Sequence, residues 1–267
     1  MSVATEERTG VRGATRAEIE ARTLREDRWW LSPLVTFVVF GAFVIYATVR
    51  AFMGRDYYAS PYLSPFYSPC LGDCVEGASD FGQPFKAWPL SAALIILIFP
   101  LGFRMTCYYY RKAYYRAFWL SPPACAVAEP HSAYSGETRF PLILQNLHRW
   151  FWYAALVIAC VLTFDVVLAF RNAEHEWGHM GLGTVLMLVN VVYIWLYTLS
   201  CHSCRHAVGG RLRHFSKHPV RYRLWTWVSG LNANHARYAW ISLFSVALVD
   251  LYIWLLAMGV IEDVRFF

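Results

Sequence analysis

The segment "GLGTVLMLVNVVYIWLYTLSC", Gly181–Cys201, contains 21 residues and no charged side chain. A helix needs about 20 mostly apolar residues to cross the hydrocarbon core of a bilayer, because it rises about 1.5 Å per residue. The segment is too long for a transmembrane β-strand and lacks the alternating pattern of one. It therefore predicts a membrane-spanning helix.

The rest of the chain has the same character. Of its 267 residues, 57% are hydrophobic and only 16% are charged, which is unlike a soluble domain. Including the first segment, five segments reach spanning length: residues 33–52, 88–110, 150–170, 181–201 and 238–258. The sequence thus predicts an all-α bundle of five transmembrane helices over residues 33–267, preceded by a polar, Arg-rich arm over residues 1–32.

The basic residues predict the orientation of the bundle. The arm and the connections that follow the second and fourth spans carry 18 Lys and Arg residues, whereas the other side carries 5. Positive charge is enriched on the cytoplasmic side, so we expect the N-terminus in the cytoplasm and the C-terminus outside. The net charge of +6 does not indicate nucleic-acid binding, because the basic residues lie between apolar segments rather than on one face.

This topology divides the seven cysteines between two compartments. Cys70 and Cys74 fall on the outer, oxidising side, where they form a candidate disulfide. Two free thiols are the alternative, because the short spacer between the cysteines closes a tight ring. Two acidic residues, Asp165 and Asp250, fall within spans. We expect them to form interhelical hydrogen bonds, and proton relay is the alternative.

Soft metal ligands collect at the cytoplasmic ends of the spans. In "CHSCRH", residues 201–206, Cys201 and Cys204 share a helical face if the fourth span continues through them. His148 opens the third span, His235 opens the fifth, Cys107 closes the second, and His206 lies beside the two cysteines. The favoured ligand set is Cys201, Cys204, His148 and His235, with Cys107 and His206 as alternates.

Several metal centres fit these residue types. A structural zinc ion binds two Cys and two His, but it would add little stability to a helix bundle that the membrane already stabilises. A haem b needs two axial histidines and leaves the cysteines unused. A Rieske-type 2Fe–2S cluster, with two Cys on one iron and two His on the other, uses both types and is favoured here. A metal-free bundle with buried, inert cysteines is the remaining alternative.

Three segments of the chain resemble those of a known protein family: "FRMTCYYYRKAYYRAFW", "RFPLILQNLHRWF" and "CHSCRHAVGGRLRHFSKHPVRYRLW". With five spans and histidines opening the third and fifth, the chain resembles the membrane anchor (cytochrome b-like) subunit of succinate dehydrogenase and fumarate reductase, respiratory complex II. It looks most like the actinobacterial members. The resemblance implies a multi-pass protein of the plasma membrane that docks an iron–sulfur subunit, itself bound to a flavoprotein subunit.

The resemblance also implies electron transfer from succinate to menaquinone or ubiquinone, without a complete active site or catalytic residues in this chain. Tyr108, Arg149 and Trp150 adjoin the metal ligands and are the candidate quinone-binding residues. Di-haem members of the family carry four axial histidines within the spans, whereas the first and second spans here have none. This departure favours the cluster over haem. A metal-free transporter or assembly factor is the function of a different class that also suits five spans.

Overall fold

A computed structural model describes residues 25–71, 78–80, 82, 90–109, 116–120, 123–127, 140 and 142–267. The α-helices are α1 Leu31–Met53, α2 Ala93–Ile96, α3 Ile98–Thr106, α4 His148–Leu168, α5 Leu182–Leu199, α6 His202–Gly209, α7 Pro219–Asn232 and α8 His235–Ala257. Two 3₁₀ helices cover Leu142–Leu147 and Phe215–Lys217, and a short antiparallel hairpin pairs β1 Tyr58–Ala59 with β2 Tyr62–Leu63. The predicted arm, residues 1–32, lies largely outside the described residues.

Among the described residues, four helices are long and apolar enough to cross a membrane: α1, α4 with the turn before it, α5 and α8. They coincide with the first, third, fourth and fifth predicted segments to within a few residues. The physical reason is that each run of mostly apolar side chains is long enough to form a helix of spanning length. Helix α1 ends at Gly54, which has a positive φ of 64°.

The second predicted span, residues 88–110, is only partly described. It contains a shorter apolar helix over Ala93–Thr106, made of α2 and α3. Pro100 has no N–H to donate to the carbonyl of Ile96, and the helix is interrupted between these residues, at Leu97. The chain becomes extended at Cys107, where ψ is 131°. A membrane crossing by the second predicted span therefore stays a prediction.

The bundle is held together by α4, α5 and α8. Helix α8 packs along most of α5, and α4 packs against both α5 and α3. One buried cluster between them is apolar and contains Leu162, Val166, Met187, Val191, Val249 and Ile253. Polar side chains within the bundle pair with each other, as where Ser245 Oγ donates to Asn190 Oδ1 over 2.8 Å. In contrast, much of α1 is exposed and apolar, as expected for a helix that faces lipid.

The helix ends lie at two opposite ends of the bundle. Residues 106–107, 148, 200–201 and 235 lie at the first end, and the hairpin and Asp263 lie at the second end. At this second end the hairpin inserts Tyr62, whose hydroxyl donates to Asp263 over 2.6 Å. Gly183 allows this approach, because a Cβ at that position would lie 2.6 Å from the Tyr62 ring. Burial, reinforced by Asp263, raises the pKa of Tyr62 to about 12, so its hydroxyl stays a donor.

A buried ion pair closes the same end. Arg50 of α1 contacts both carboxylate oxygens of Asp250 of α8, at 2.8 and 3.2 Å, and both side chains are fully buried. The hydroxyls of Tyr46 and Ser64 also donate to this carboxylate. Asp250 thus makes the expected interhelical hydrogen bond, together with an ion pair that the sequence did not predict. Asp165 differs from the expectation, because its hydrogen bond comes from Ser68, which lies after the hairpin and not in a helix.

Candidate functional site

Four helix ends meet at the first end of the bundle. His148 is the first residue of α4, and His235 is the first residue of α8. Cys107 directly follows α3, and Cys201 lies between α5 and α6. Four segments that are distant in sequence therefore place one thiol or imidazole each at the same membrane level.

The four side chains form two contact pairs. His148 Nε2 lies 3.1 Å from Cys201 Sγ, and His235 Nε2 lies 3.2 Å from Cys107 Sγ. In both pairs the same ring nitrogen faces the sulfur. We call these four side chains, Cys107, Cys201, His148 and His235, the Cys/His cluster.

Two aromatic rings join the pairs into one site. Phe103 stacks on His148 with 5.2 Å between ring centroids, and Tyr197 stacks on His235 with 5.1 Å. Phe103 and Tyr197 contact each other at 4.9 Å. The two imidazoles therefore lie at the ends of a continuous layer of rings, and the layer fixes their planes.

The site is enclosed. Cys107 and Cys201 are each 1% exposed and His235 is 2% exposed, whereas His148 is half-buried. Apolar side chains surround the cysteines, among them Phe40, Trp152 and Leu243. These residues exclude water from the thiols, which is an environment that suits a redox centre more than a surface metal site.

The four side chains of the Cys/His cluster are of the types that bind soft metal ions. Among the described residues, no three His, Cys, Asp or Glu side chains surround one point as a single metal ion requires. The Cys/His cluster instead supplies two thiols and two imidazole Nε2 atoms as two neighbouring pairs. This is the donor set of a 2Fe–2S cluster of the Rieske type.

The other predicted ligands lie nearby but outside these pairs. Cys204, on α6, is buried in the same apolar surroundings, yet its thiol bonds neither imidazole. Burial raises the pKa of the Cys204 thiol, as it also raises the pKa of the Cys201 thiol. His206 is exposed, and its Nδ1 lies 3.0 Å from an Arg149 guanidinium nitrogen.

The three predicted quinone-binding residues are exposed on the surface and do not enclose a pocket. Tyr108 is 52% exposed and Trp150 is 70% exposed, and Arg149 is also exposed. Tyr108 contacts His202 edge-on, with 6.3 Å between ring centroids. None of the three lines the cavity described next.

The sequence did not predict an apolar cavity of about 200 Å³ on the bundle side of the Cys/His cluster. Its walls include Phe103 and Tyr197, the two rings that stack on the imidazoles. The charged residue in its wall is Arg104, which donates to Ala239 O over 3.1 Å and to Ser242 Oγ over 3.0 Å. Arg104 is therefore held against α8 within the bundle.

At the second end of the bundle, Cys70 is disulfide-bonded. Its predicted partner, Cys74, lies outside the described residues. Cys107, Cys125, Cys160, Cys201 and Cys204 are not disulfide-bonded. Cys70 lies at the end of the bundle that the predicted topology places outside.

The comparisons with known proteins agree with the resemblance seen in the sequence. The family "Actinobacterial succinate dehydrogenase subunit SdhC" matches residues 31–259. The chain is also similar to a chain of the Mycobacterium smegmatis Sdh1 complex in the apo form. The two are 56% identical with a TM-score of 0.86, over 97% of this chain and 99% of that chain. A comparison with curated proteins gave no significant match. The chain therefore belongs to the family of actinobacterial succinate dehydrogenase SdhC subunits.

Proposed function

We propose that this chain anchors the soluble subunits of a succinate dehydrogenase to the membrane and connects them electronically with quinone. The observation that carries the proposal is the buried Cys/His cluster, which four helix ends assemble at one membrane level. Family membership and several apolar helices make the chain a multi-pass protein of the bacterial plasma membrane. Its partners in the proposal are an iron–sulfur subunit and a flavoprotein subunit.

The proposed topology has five crossings, with the N-terminus in the cytoplasm and the C-terminus outside. Two observations support it. The helix ends alternate between the two ends of the bundle along the chain, as five antiparallel crossings require. The disulfide-bonded Cys70 lies at the end assigned to the outer side, and the free Cys107, Cys201 and Cys204 lie at the other end.

We propose that Cys107, Cys201, His148 and His235 hold a Rieske-type 2Fe–2S cluster. Such a cluster, when bound, supplies a one-electron carrier with a higher potential than an all-cysteine cluster. The structure supports Cys107 over Cys204, because both imidazoles contact Cys107 or Cys201 and neither contacts Cys204. A haem b is less well supported, because it would use the two imidazoles and leave the two thiols that contact them without a role.

The roles of the residues follow from their positions. The two thiols would hold the cluster as thiolates, and the two imidazoles would hold it through Nε2. The ring layer of Phe103 and Tyr197 orients the imidazoles, and the apolar shell keeps water away from the sulfurs. Electron transfer needs only small rearrangements in such a rigid, dry site.

The partner surface is proposed on α6, α7 and the basic segment between them. Large apolar side chains of α7 are exposed there, including Trp227 at 54%. Arg213 and Arg223 are exposed as well. Arg221 is not included in this surface, because its guanidinium donates to the carbonyls of Val208 and Gly210 and so connects α6 with α7. Exposed aromatic and Arg residues together are typical of a protein–protein contact.

Reversing the charges of Arg213 and Arg223 together, to Glu, should release the soluble subunits from membranes. Placing two like charges against an interface costs several kcal/mol, so we expect the membrane-bound share of succinate dehydrogenase activity to fall at least about tenfold. The measurement is dye-linked activity in membrane and soluble fractions. Arg55→Glu is the control, because its exposed side chain lies at the opposite end. Full retention by the double variant would contradict this docking surface.

We propose that the quinone ring binds in the cavity beside Arg104. A dry apolar cavity of about 150 Å³ already admits benzene, so one of about 200 Å³ has room for a quinone ring. Its wall touches both imidazoles through Phe103 and Tyr197, which keeps the ring close to the Cys/His cluster. The exposed group of Tyr108, Arg149 and Trp150 stays the alternative location.

Filling the cavity separates these two locations. Ala47 of α1 lines the cavity, so Ala47→Phe should lower quinone reduction about tenfold or more and leave dye-linked succinate oxidation unchanged. Val49→Phe is the matched control, because Val49 lies on the same helix, is 53% exposed and does not line the cavity. Full quinone reduction by Ala47→Phe, with loss in Trp150→Ala, would place the quinone at the surface group instead.

A further inference from the structure

The second nitrogen of each imidazole in the Cys/His cluster contacts a hydroxyl. Thr106 Oγ1 lies 2.9 Å from His148 Nδ1, and Ser200 Oγ lies 2.7 Å from His235 Nδ1. Thr106 is 8% exposed and Ser200 is fully buried, so water does not compete strongly for either contact. Both histidines therefore have a defined polar partner on each ring nitrogen.

The direction of these hydrogen bonds follows from the other contacts of the hydroxyls. Thr106 Oγ1 donates to Gly102 O over 2.6 Å, and Ser200 Oγ donates to Tyr197 O over 3.0 Å. A hydroxyl has one proton and two lone pairs. A hydroxyl that gives its proton to the backbone carbonyl accepts from the imidazole, and the imidazole then carries its proton on Nδ1.

The arrangement repeats at two helix ends. Thr106 immediately precedes Cys107 at the end of α3, and Ser200 immediately precedes Cys201 at the end of α5. The pairing is crossed: the His148 that Thr106 holds faces Cys201, and the His235 that Ser200 holds faces Cys107. Each hydroxyl–cysteine dipeptide thus serves both histidines, one through oxygen and the other through sulfur.

We infer that Thr106 and Ser200 are positioning residues that fix both histidines as Nδ1–H tautomers, with the Nε2 lone pairs facing the two thiols. This inference rests on the proposed function, in which Nε2 of each histidine binds iron. A neutral imidazole has a single N–H, and a ring with its proton on Nε2 has no lone pair there for a metal. The hydroxyls therefore preselect the binding-competent tautomer.

The two hydroxyls also act on the bound group through the imidazoles. A hydrogen bond from the second N–H of a ligating histidine makes the ligand more basic, and its loss typically lowers metal affinity about 10–100-fold. A more basic imidazole stabilises oxidised iron over reduced iron. Removing the hydroxyls should therefore weaken retention of the cluster and raise its midpoint potential.

The test uses the assembled complex carrying Thr106→Val together with Ser200→Ala. We expect iron to leave this variant about 10–100-fold faster in the presence of a chelator than it leaves the unaltered complex. In cluster that remains, we expect a higher midpoint potential in a redox titration followed by electron paramagnetic resonance. Thr106→Ser keeps the hydroxyl and should behave like the unaltered complex.

Thr163→Val is the matched control. Thr163 Oγ1 donates to Ala159 O over 2.7 Å, so it makes the same backbone contact as Thr106, and it contacts Trp195 rather than a histidine. Unchanged iron retention and potential in the double variant would overturn the inference. If the unaltered complex shows no 2Fe–2S signal with nitrogen couplings from this chain, the proposed function fails, and the inference fails with it.

Discussion

Replacing His148 and His235 together with Ala should abolish quinone reduction and leave succinate oxidation by a soluble dye intact. The two imidazoles are half of the donor set, and even the loss of a partner that only hydrogen-bonds a ligand costs about 10–100-fold, so we expect a loss of at least about 100-fold. The dye takes electrons from the soluble subunits and bypasses the membrane. Both assays on one purified complex, with its electron paramagnetic resonance spectrum, measure the effect.

Cysteine replacements identify the sulfur ligands. Cys107→Ser with Cys201→Ser should remove the signal of the cluster and the quinone reductase activity together. Cys204→Ser is the matched control, because Cys204 is buried in the same cluster of side chains but contacts neither imidazole. A complex that assembles, loses both histidines and still reduces quinone at the normal rate would contradict the proposed route.

The sequence was sufficient to predict most of the bundle. Long apolar runs have few alternatives to a spanning helix, since every backbone polar group in lipid must be satisfied internally. The runs that became α1, α4, α5 and α8 were therefore found to within a few residues. His148 and His235 were placed at one level for the same reason, because each opens a span that begins on the same side.

The sequence was not sufficient to choose between Cys107 and Cys204. The prediction required the fourth span to continue through Cys204, so that Cys201 and Cys204 shared a helical face. In the structure α5 ends at Leu199, and Cys201 is extended, with ψ at 146°, before α6 begins. Cys201 and Cys204 therefore do not lie on one continuous helix, and this change of direction depends on packing that the spacing does not encode.

The ion pair of Arg50 and Asp250 could not be predicted from the sequence, because it also depends on how the helices pack. The two residues are 200 positions apart, and Arg50 was one of the five basic residues that the predicted topology places on the outer side. Nothing local to Arg50 predicts its burial. Only the assembled bundle shows that α1 carries this cation into contact with α8.

Breaking that ion pair should strongly destabilise the complex. Removing one partner of a buried pair leaves an uncompensated charge, which costs about 3–5 kcal/mol. Asp250→Leu leaves the fully buried Arg50 guanidinium without its carboxylate, and it also removes the acceptor of Tyr46 and Ser64. We expect the melting temperature of the complex in detergent to fall by roughly 10 °C.

Two controls separate charge burial from a general loss of packing. Arg50→Met combined with Asp250→Leu replaces the pair with apolar side chains, so most of the lost stability should return. The neighbouring pair of Arg55 and Asp56 spans 3.6 Å, and the Arg55 side chain is 77% exposed. Its disruption by Arg55→Ala should therefore change the stability by less than about 1 kcal/mol.

The position of the pair also predicts what Asp250→Leu leaves unchanged. Asp250 lies 15 residues along α8 from His235, or about 22 Å at 1.5 Å per residue. Below its melting temperature, the variant should thus keep the spectrum of the Cys/His cluster and normal quinone reduction. Loss of quinone reduction in a folded Asp250→Leu complex would instead assign Asp250 a part in the reaction, such as delivering protons. Equal melting temperatures for Asp250→Leu and the unaltered complex would show that α1 does not depend on this pair for its place in the bundle.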